Sequence, residues 1–301
     1  FDNLPHNGRL CQDIVMALAA EQDPALADWI ARESSFPATM VDRIVPATRE
    51  ADRQALARLT GVEDQGMVVC EPFSQWVIED RFVAGRPAWE RAGALLVADV
   101  TPYESMKLRL LNGSHSSMAY LGQLAGHTFM HQVMADATIG PFIAALMDRE
   151  LSPGLEVPAG FDLEGYKAQL RQRFANPALQ HRTAQVAMDG SQKIPQRLLQ
   201  PLRYQLANSA SIDGICIAVA AWMSYVAGAE NFDDPLAEAI RQRLANTGNS
   251  PATISAALLQ LEAVFGKDLP QSTVFLETVT RHLEALQRGG VRDTLARYLA
   301  A

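Results

Sequence analysis

Four residues that can transfer protons or hold charge lie on one side of a single predicted helix over residues 102–124: Glu104, Lys107, Asn112 and His115. An α-helix advances about 100° per residue, so Glu104, Lys107 and His115 share one sector and Asn112 lies at its edge. Two leucines also fall in this sector, which is not typical of a solvent-facing surface. The sequence therefore predicts a partly apolar surface that carries an acid, a cation, an amide and an imidazole.

This mixture of side chains is compatible with acid–base chemistry. Burial disfavours an ammonium group and lowers its pKa, so a buried Lys107 can act as general base or acid near neutral pH. Asn112 can donate to an oxygen that gains negative charge, and His115 can bridge a substrate hydroxyl. In the structural alternative, Lys107 keeps its head group in water and His115 is a satisfied core histidine. Spacing alone is consistent with both interpretations.

Gly113 follows this group in the middle of the predicted helix. A glycine there weakens a helix by up to ~1 kcal/mol relative to alanine. The position therefore suits the close approach of a ligand or of a second backbone, and an ordinary packing contact explains it equally well.

The composition is that of a folded globular protein. The 301 residues are 48% hydrophobic and 20% charged, and 26 Lys and Arg against 34 Asp and Glu give a net charge of −8. These values exclude a disordered, collagen-like or coiled-coil chain, and the acidic balance argues against nucleic acid as a partner. No apolar run approaches the ~20 residues of a membrane span. The three cysteines give neither a disulfide framework nor a zinc spacing, so we expect a cytoplasmic protein.

Two regions with different periodicity are expected to position these residues. Residues 1–95 mix helices predicted over 9–20, 24–33 and 49–60 with extended structure over 36–46 and short strand candidates at 67–70 and 76–78. From residue 96 to 301 helical periodicity dominates. The predicted fold is an α/β remnant of a Rossmann-type domain, residues 1–95, followed by a large all-α C-terminal domain, residues 96–301, and is mainly α overall.

The start of the chain leads to a further expectation. Residues 1–8 lack an initiator Met and read as the tip of a strand entering a polar turn, so we expect an N-terminal part to be missing; a processed terminus is the alternative. A dinucleotide fold needs a glycine-rich strand-to-helix turn, and no G-x-G-x-x-G occurs before residue 95. We therefore expect the 301 residues alone to bind NAD poorly and to turn over little.

The pattern Lys107-x4-Asn112-x2-His115 resembles the signature of the polyol-specific long-chain dehydrogenases, the mannitol dehydrogenase family. The resemblance runs over nearly the whole chain. It includes the blocks at residues 2–8, 36–46, 70–80, 85–87 and 188–197. Long blocks in this order are much more specific than one short motif.

The resemblance implies a metal-independent, NAD-linked oxidation of a secondary alcohol. By analogy, Lys107 is the general base in oxidation and the general acid in reduction. Asn3 and Asn112 would hold the developing alkoxide, and His115 would orient the reacting hydroxyl. Glu104 would pass the proton toward solvent. The cofactor-binding residues would lie mostly before Asn3.

Further residues are assigned to the substrate by the same resemblance. Asp42 and Lys193 would contact the remaining hydroxyls or a carboxylate. Each assigned residue also has a plain structural alternative. Asn3 can be a turn residue, Asp42 part of a surface pair with its neighbouring arginine, and Lys193 a solvated helix start. His127 and His131 have the i,i+4 spacing of a helical metal site, but no third ligand is evident and we interpret them as structural.

Within the family, the chain looks more like the fructuronate reductase branch, also called D-mannonate oxidoreductase. The mannitol-oxidising branch carries Arg at the position of Gln185, and the stretch 179–190 as a whole favours the fructuronate branch. A uronate carboxylate still needs a cation, which Lys193 or Arg182 can supply. Mannitol 2-dehydrogenase is the alternative.

Two other function classes are alternatives to this interpretation. A non-catalytic helical module could bind a sugar acid or a partner protein. A zinc-dependent alcohol dehydrogenase is disfavoured because the Cys and His ligand set is missing. The expected partner is therefore a small-molecule sugar acid or polyol, without nucleic acid, membrane or metal.

Overall fold

The structure is a computed structural model that describes residues 4–245 and 247–301. The chain divides into two compact units, Phe1–Lys107 with Glu156–Phe161, and Leu108–Leu155 with Asp162–Ala301. The prediction of a mainly helical protein is confirmed. The predicted domain boundary between residues 95 and 96 stays a prediction.

The first unit combines a small sheet with helices. Its helices are α1 (Asn7–Gln22), α2 (Pro24–Glu33), α3 (Glu50–Thr60) and α4 (Thr101–Met106), with a 3₁₀ turn at Trp89–Ala92. Its strands are β1 (Thr39–Asp42), β2 (Gln75–Glu79) and β3 (Leu95–Val97). β2 is central, antiparallel to β1 and parallel to β3. Met40, Val77 and Val100 form its buried apolar core.

Local sequence signals explain several boundaries in this unit. Asp23 accepts a hydrogen bond from the Ala25 N–H at 2.9 Å, and Pro24 follows at the first helical position, which starts α2 as predicted. The Asn7 side chain donates to the Thr39 carbonyl at 2.7 Å and accepts from the Thr39 N–H at 3.0 Å. These two bonds tie the start of α1 to β1, so Asn7 does more than occupy a turn.

The strand predictions for this unit contain two errors, one false strand and one missed strand. The predicted strand at 67–70 is wrong, because Val68 is exposed and no described strand pairs with it. β3 was missed: it has only three residues and is defined by its pairing with β2, with Val77 opposite Leu95.

The described elements of the second unit are helices. They are α5 (Ser114–Leu124), α6 (Met130–Ala135), α7 (Ile139–Leu146), α8 (Leu163–Phe174), α9 (Thr183–Ala187), α10 (Gly190–Ile194), α11 (Gln200–Ala207), α12 (Asp213–Gly228), α13 (Ala237–Leu244), α14 (Pro251–Leu259), α15 (Glu262–Phe265) and α16 (Thr273–Ala300), with a 3₁₀ turn at Leu269–Gln271. An isolated β-bridge joins Phe129 to Arg182. Gly290, at φ 71°, kinks α16, where the sequence predicts the end of one helix and the start of another.

Three segments wind as π-helix: Lys107–Gly113, Met147–Leu151 and Pro195–Leu199. The core of the second unit is built around α12, whose residues 214–223 are all buried. Such a helix, apolar on every side, must be surrounded by other elements, and here α5 and α16 pack against it. In the described part of the chain, no helix has the length and apolar character that crossing a bilayer requires.

Candidate active site

Glu104 lies in α4, where burial changes its acidity. Both of its carboxylate oxygens accept the backbone N–H of His6, at 3.1 and 3.2 Å, and the His6 Nδ1 lies 3.8 Å from Oε2. Burial raises the pKa of Glu104, although His6 and Lys107 oppose that rise. A carboxyl group with a raised pKa exchanges protons closer to neutral pH, as a proton relay requires.

Lys107 follows α4 and opens the π-helical segment. Its side chain is 8% exposed, so little of it is available to water. Asp42 ends β1 and is 1% exposed, which makes the surface-pair interpretation of this aspartate wrong. Asn3, the other predicted oxyanion residue, lies outside the described residues.

The segment Lys107–Gly113 corrects the α-helical geometry expected from the sequence. In a π-helix each N–H bonds to the carbonyl five residues back, so angular positions calculated at 100° per residue do not apply here. A Cβ at Gly113 would lie 2.9 Å from the carbonyl oxygen of Arg197. Gly113 therefore permits the close approach of a second backbone, which is one of the explanations that the sequence offered for a glycine here. Such π-turns occur frequently at functional sites.

Asn112 carries an unused hydrogen-bond donor. The residue is 6% exposed, and its buried Nδ2 has no hydrogen-bond partner among the described residues. A buried donor without an acceptor costs about 1–3 kcal/mol, so an oxygen placed beside it gains a favourable bond. This is the property that an oxyanion-stabilising amide needs.

His115, in the first turn of α5, is held between aromatic rings. Its ring centroid lies 4.6 Å from that of Phe174 and 5.5 Å from that of His181. Burial lowers the pKa of His115 well below its usual value, and the positive charges of Arg173, Lys193 and Arg197 add to this effect. A neutral imidazole has one donor and one acceptor nitrogen, which suits it to orient a hydroxyl.

Lys193 is fixed by backbone oxygens. Its Nζ donates to the carbonyls of Met188 at 2.5 Å and Val186 at 3.4 Å, and lies 3.6 Å from the Asp189 carboxylate. The solvated-helix-start interpretation is wrong, because Lys193 is half-buried near the end of α10. Burial lowers the pKa of this lysine, with a further contribution from Arg197.

The two branch-specific candidates lie on or beside α9. Gln185 is half-buried within α9. Arg182 precedes that helix, where its backbone bridges to Phe129, and the residue is exposed. Of the two cations predicted to hold a carboxylate, Lys193 is the one whose charge lowers the pKa of His115 and of His181.

No set of ligands for a metal ion is evident in the part of the chain that the structure describes. No three His, Cys, Asp or Glu residues converge there. The His127 Nε2 lies 3.2 Å from Asp136, and His131 stacks on Phe129 at 5.6 Å. His127 and His131 thus contact different residues, Asp136 and Phe129.

Three residues of this region were not predicted as site residues: Arg173, His181 and Arg197. Burial lowers the pKa of His181 to about 4, and its buried Nδ1 has no hydrogen-bond partner among the described residues. Arg197 donates from Nη1 to the Ser116 hydroxyl at 3.1 Å. The i,i+4 spacing of Lys193 and Arg197 was the signal that could have identified the arginine, since such residues share one helix face.

Comparison with known proteins gives two family matches and several relatives. Residues 1–91 match the Mannitol dehydrogenase Rossmann domain, and residues 99–287 match the Mannitol dehydrogenase C-terminal domain. The chain is 45% identical over 302 residues to a D-mannonate oxidoreductase of Escherichia coli (strain K12), covering 98% of the chain and 62% of that protein. It is 37% identical over 307 residues to a mannitol 2-dehydrogenase of Aspergillus terreus (strain NIH 2624 / FGSC A1156), covering 99% of the chain and 60% of that protein.

A solved structure also matches. The Pseudomonas fluorescens mannitol 2-dehydrogenase ternary complex with NAD and D-mannitol aligns with a TM-score of 0.90 at 40% identity, covering 99% of this chain and 61% of that one. The chain thus spans 62% of the D-mannonate oxidoreductase that it resembles. The C-terminal domain match alone extends over more than half of the 301 residues. The chain therefore belongs to the mannitol dehydrogenase family.

Proposed function

We propose that this chain takes part in an NAD-linked oxidoreductase reaction that interconverts the secondary alcohol and the ketone of a sugar acid, namely D-mannonate and D-fructuronate. The observation that carries the proposal is the unpaired, buried Nδ2 of Asn112, on the helical segment that begins with the buried Lys107. An amine and an amide donor on one segment are the two groups that alcohol oxidation needs, one for the proton and one for the oxygen.

In oxidation, Lys107 takes the proton of the reacting hydroxyl while the hydrogen on carbon leaves as hydride. The oxygen gains negative charge as the proton leaves, and the Asn112 amide donates to it. In reduction the same amine returns the proton. Asn3 is proposed as the second amide donor, as the family resemblance implies.

His115 is proposed to orient the reacting hydroxyl in its neutral form. Its environment supports this role, because burial and three nearby cations disfavour the imidazolium. A neutral ring can accept the substrate O–H on one nitrogen and donate from the other. An imidazolium would offer donors alone.

Glu104 is proposed to carry the proton between Lys107 and solvent. It lies one helical turn before Lys107, and its raised pKa favours reversible protonation. Asp42, Lys193 and Gln185 are proposed to contact the rest of the substrate. Arg182 is a weaker candidate for this role, because it is exposed.

NAD supplies a hydride acceptor or donor when bound. The sequence has no glycine-rich strand-to-helix turn before residue 95, and we assign none of its residues to the cofactor. The roles above concern the groups of this chain that face the substrate.

Support for a sugar acid comes from Gln185 and from relatives. The D-mannonate oxidoreductase of E. coli is 45% identical, against 37% for the A. terreus mannitol 2-dehydrogenase. The second candidate, mannitol and fructose, is favoured by the match to the P. fluorescens mannitol 2-dehydrogenase complex. We further propose a cytoplasmic protein with a boundary near residues 95/96 and an all-α C-terminal domain, acting on a small molecule without nucleic acid, membrane or metal.

A substrate panel tests the proposal. A full-length protein that contains these 301 residues is assayed with NADH and fructuronate, tagaturonate or fructose, and with NAD and mannonate or mannitol. We expect kcat/KM for fructuronate to exceed that for fructose at least tenfold. A preference for fructose would select the mannitol reaction, and no turnover of any substrate would contradict both.

An amide variant tests the residue that carries the proposal. Asn112→Ala removes the unpaired donor and should lower kcat by about 10²–10³-fold, as removal of an oxyanion donor does in other enzymes. The matched control is Asn208→Ala, since Asn208 is exposed at the end of α11. The control should keep full activity. Equal activity of the two variants would contradict the role of Asn112.

A further inference from the structure

The second unit holds a cluster of cations around His115, defined by Arg173, Lys193 and Arg197. Arg197 lies in the π-helical segment Pro195–Leu199, and its Nη1 donates to the hydroxyl of Ser116, the residue after His115, at 3.1 Å. Its own carbonyl oxygen lies against Gly113. These two contacts hold the guanidinium beside the first turn of α5, next to the histidine proposed to orient the substrate.

Arg197 has no counter-ion in the part of the chain that the structure describes. The Ser116 hydroxyl is its one hydrogen-bond partner there, and no carboxylate pairs with it. A guanidinium has five N–H donors arranged as a fork that fits a carboxylate in a bidentate manner. Most of that fork therefore has no hydrogen-bond acceptor among the described residues.

The surroundings of Arg197 favour an anion. Burial lowers the pKa of Arg197 to about 10, and the carboxylate of Asp189 acts in the opposite direction. Its charge also lowers the pKa of His115 and of Lys193, and Arg173 and Lys193 act on His115 in the same direction. A partly buried cation without a partner is unfavourable, and a bound carboxylate would compensate it.

The other cations of this region are less suited to bind a carboxylate. Lys193 already donates to the carbonyls of Met188 and Val186 and lies near Asp189. Arg182 is exposed. His181, whose ring centroid lies 5.5 Å from that of His115, adds a buried Nδ1 that has no partner among the described residues. The unpaired groups of the second unit thus include a charged fork, an amide and an imidazole nitrogen.

On the basis of the proposed function, we propose that Arg197 binds the carboxylate of the sugar-acid substrate. This contact makes the site prefer sugar acids over neutral polyols. The carboxylate accepts the guanidinium fork, and the hydroxyls further along the sugar reach Asn112 and His115. Arg197 is in this account a specificity-determining residue and takes no part in proton or hydride transfer.

Ligand binding tests this inference without relying on turnover. Dissociation constants of D-mannonate and D-mannitol are measured by calorimetry, with and without NAD, for the native protein and for Arg197→Gln. The variant should bind mannonate about 10–100-fold more weakly, because a charge-assisted bidentate contact is lost, and mannitol within threefold of native. Arg243→Gln, which changes an exposed arginine of α13, is the matched control and should alter neither constant.

Two results would refute the role of Arg197. One is mannonate binding that Arg197→Gln leaves unchanged, and the other is an equal loss of both ligands, which indicates a structural role. If Arg197→Gln does not fold, the native protein is titrated with mannonamide, whose neutral amide replaces the carboxylate. Binding of the amide at least tenfold weaker than the acid supports the inference, and equal binding refutes it.

The same data separate this inference from the proposed function. Carboxylate-selective binding that depends on Arg197, with no turnover of fructuronate and NADH, would refute the reaction and support the anion site. Turnover with an acid preference that Arg197→Gln leaves unchanged would support the reaction and refute the anion site.

Discussion

The carbonyl oxygen of Arg197 occupies the space in which a side chain of residue 113 would stand: a Cβ on Gly113 would lie 2.9 Å from that oxygen. The two residues belong to different π-helical segments, Lys107–Gly113 and Pro195–Leu199. This contact couples the helix that carries Asn112 and His115 to the segment that carries Arg197. The geometry of the proposed site therefore depends on a glycine that has no chemical role.

Gly113→Ala tests this contact. Overpacking against a backbone atom costs about 1–3 kcal/mol, and the better helix propensity of alanine returns up to ~1 kcal/mol. We expect a net loss of about 1–2 kcal/mol in the free energy of unfolding, measured by urea denaturation. Gly228→Ala is the control, because nothing lies within 4 Å of a Cβ there, and it should be neutral or slightly stabilising. Equal stabilities for the two variants would argue against the close approach.

A buried carboxyl group should make stability depend on pH. Glu150 accepts the N–H groups of Gly214 and Ile215 at 2.7 and 2.8 Å and the Tyr298 hydroxyl at 3.2 Å, at the start of α12. Burial raises the pKa of Glu150 to about 7 from a usual value of 4.5. The folded state therefore holds a proton that the unfolded state has already released between pH 4.5 and 7.

The sign of this effect follows from proton linkage. The contribution of Glu150 to the free energy of unfolding is fully present below pH 4.5 and is lost as the pH rises to about 7, by about 3 kcal/mol in total. In Glu150→Gln this loss should be absent. Urea unfolding at pH 4.5, 5.5, 6.5 and 7.5 measures the difference between the two proteins, with the exposed Glu230→Gln as control. If the difference in free energy of unfolding between the native protein and Glu150→Gln is the same at every pH, Glu150 does not titrate in this way.

The two buried histidines should remain neutral at physiological pH. Burial lowers the pKa of His181 to about 4 and that of His115 well below 6.5. Imidazole ¹⁵N shifts should therefore stay at their neutral values from pH 8 down to pH 5.5 for both rings, with assignments from His115→Gln and His181→Gln. A ring that titrates near pH 6.5 would show that its surroundings are wetter than the structure indicates.

Sequence patterns predicted much of the fold because they report local preferences. Asp23 and Pro24 mark the start of α2, and Gly290 marks the kink in α16. The π-helical segments were not predicted, because the 3.6-residue period assumes α-helical geometry and the contact of Gly113 with Arg197 is tertiary. β3 and the strand wrongly predicted at 67–70 differ mainly in whether a partner strand is present.

Sequence patterns identified some residues of the candidate site and missed others, because they report local preferences and not tertiary contacts. Asn112 and His115 are buried, as expected for polar residues that share a helix sector with leucines. The placement of Arg197 was not apparent, since it depends on a hydrogen bond to Ser116, 81 positions earlier in the chain. Asp42 shows the same limit of local patterns, because its burial depends on the fold around β1 and not on its neighbour in the sequence.

The central claim is that the amine of Lys107 transfers the proton in the alcohol–ketone interconversion. The most direct test compares Lys107→Ala with the native residue in a full-length protein that contains this chain, in both directions of the reaction, with unfolding curves to show that the variant folds. Lys267→Ala, at a lysine whose side chain is 83% exposed, is the control. We predict that kcat falls by about 10²–10⁴-fold for Lys107→Ala and stays unchanged for Lys267→Ala. A folded Lys107→Ala protein that turns over at the native rate would contradict the account.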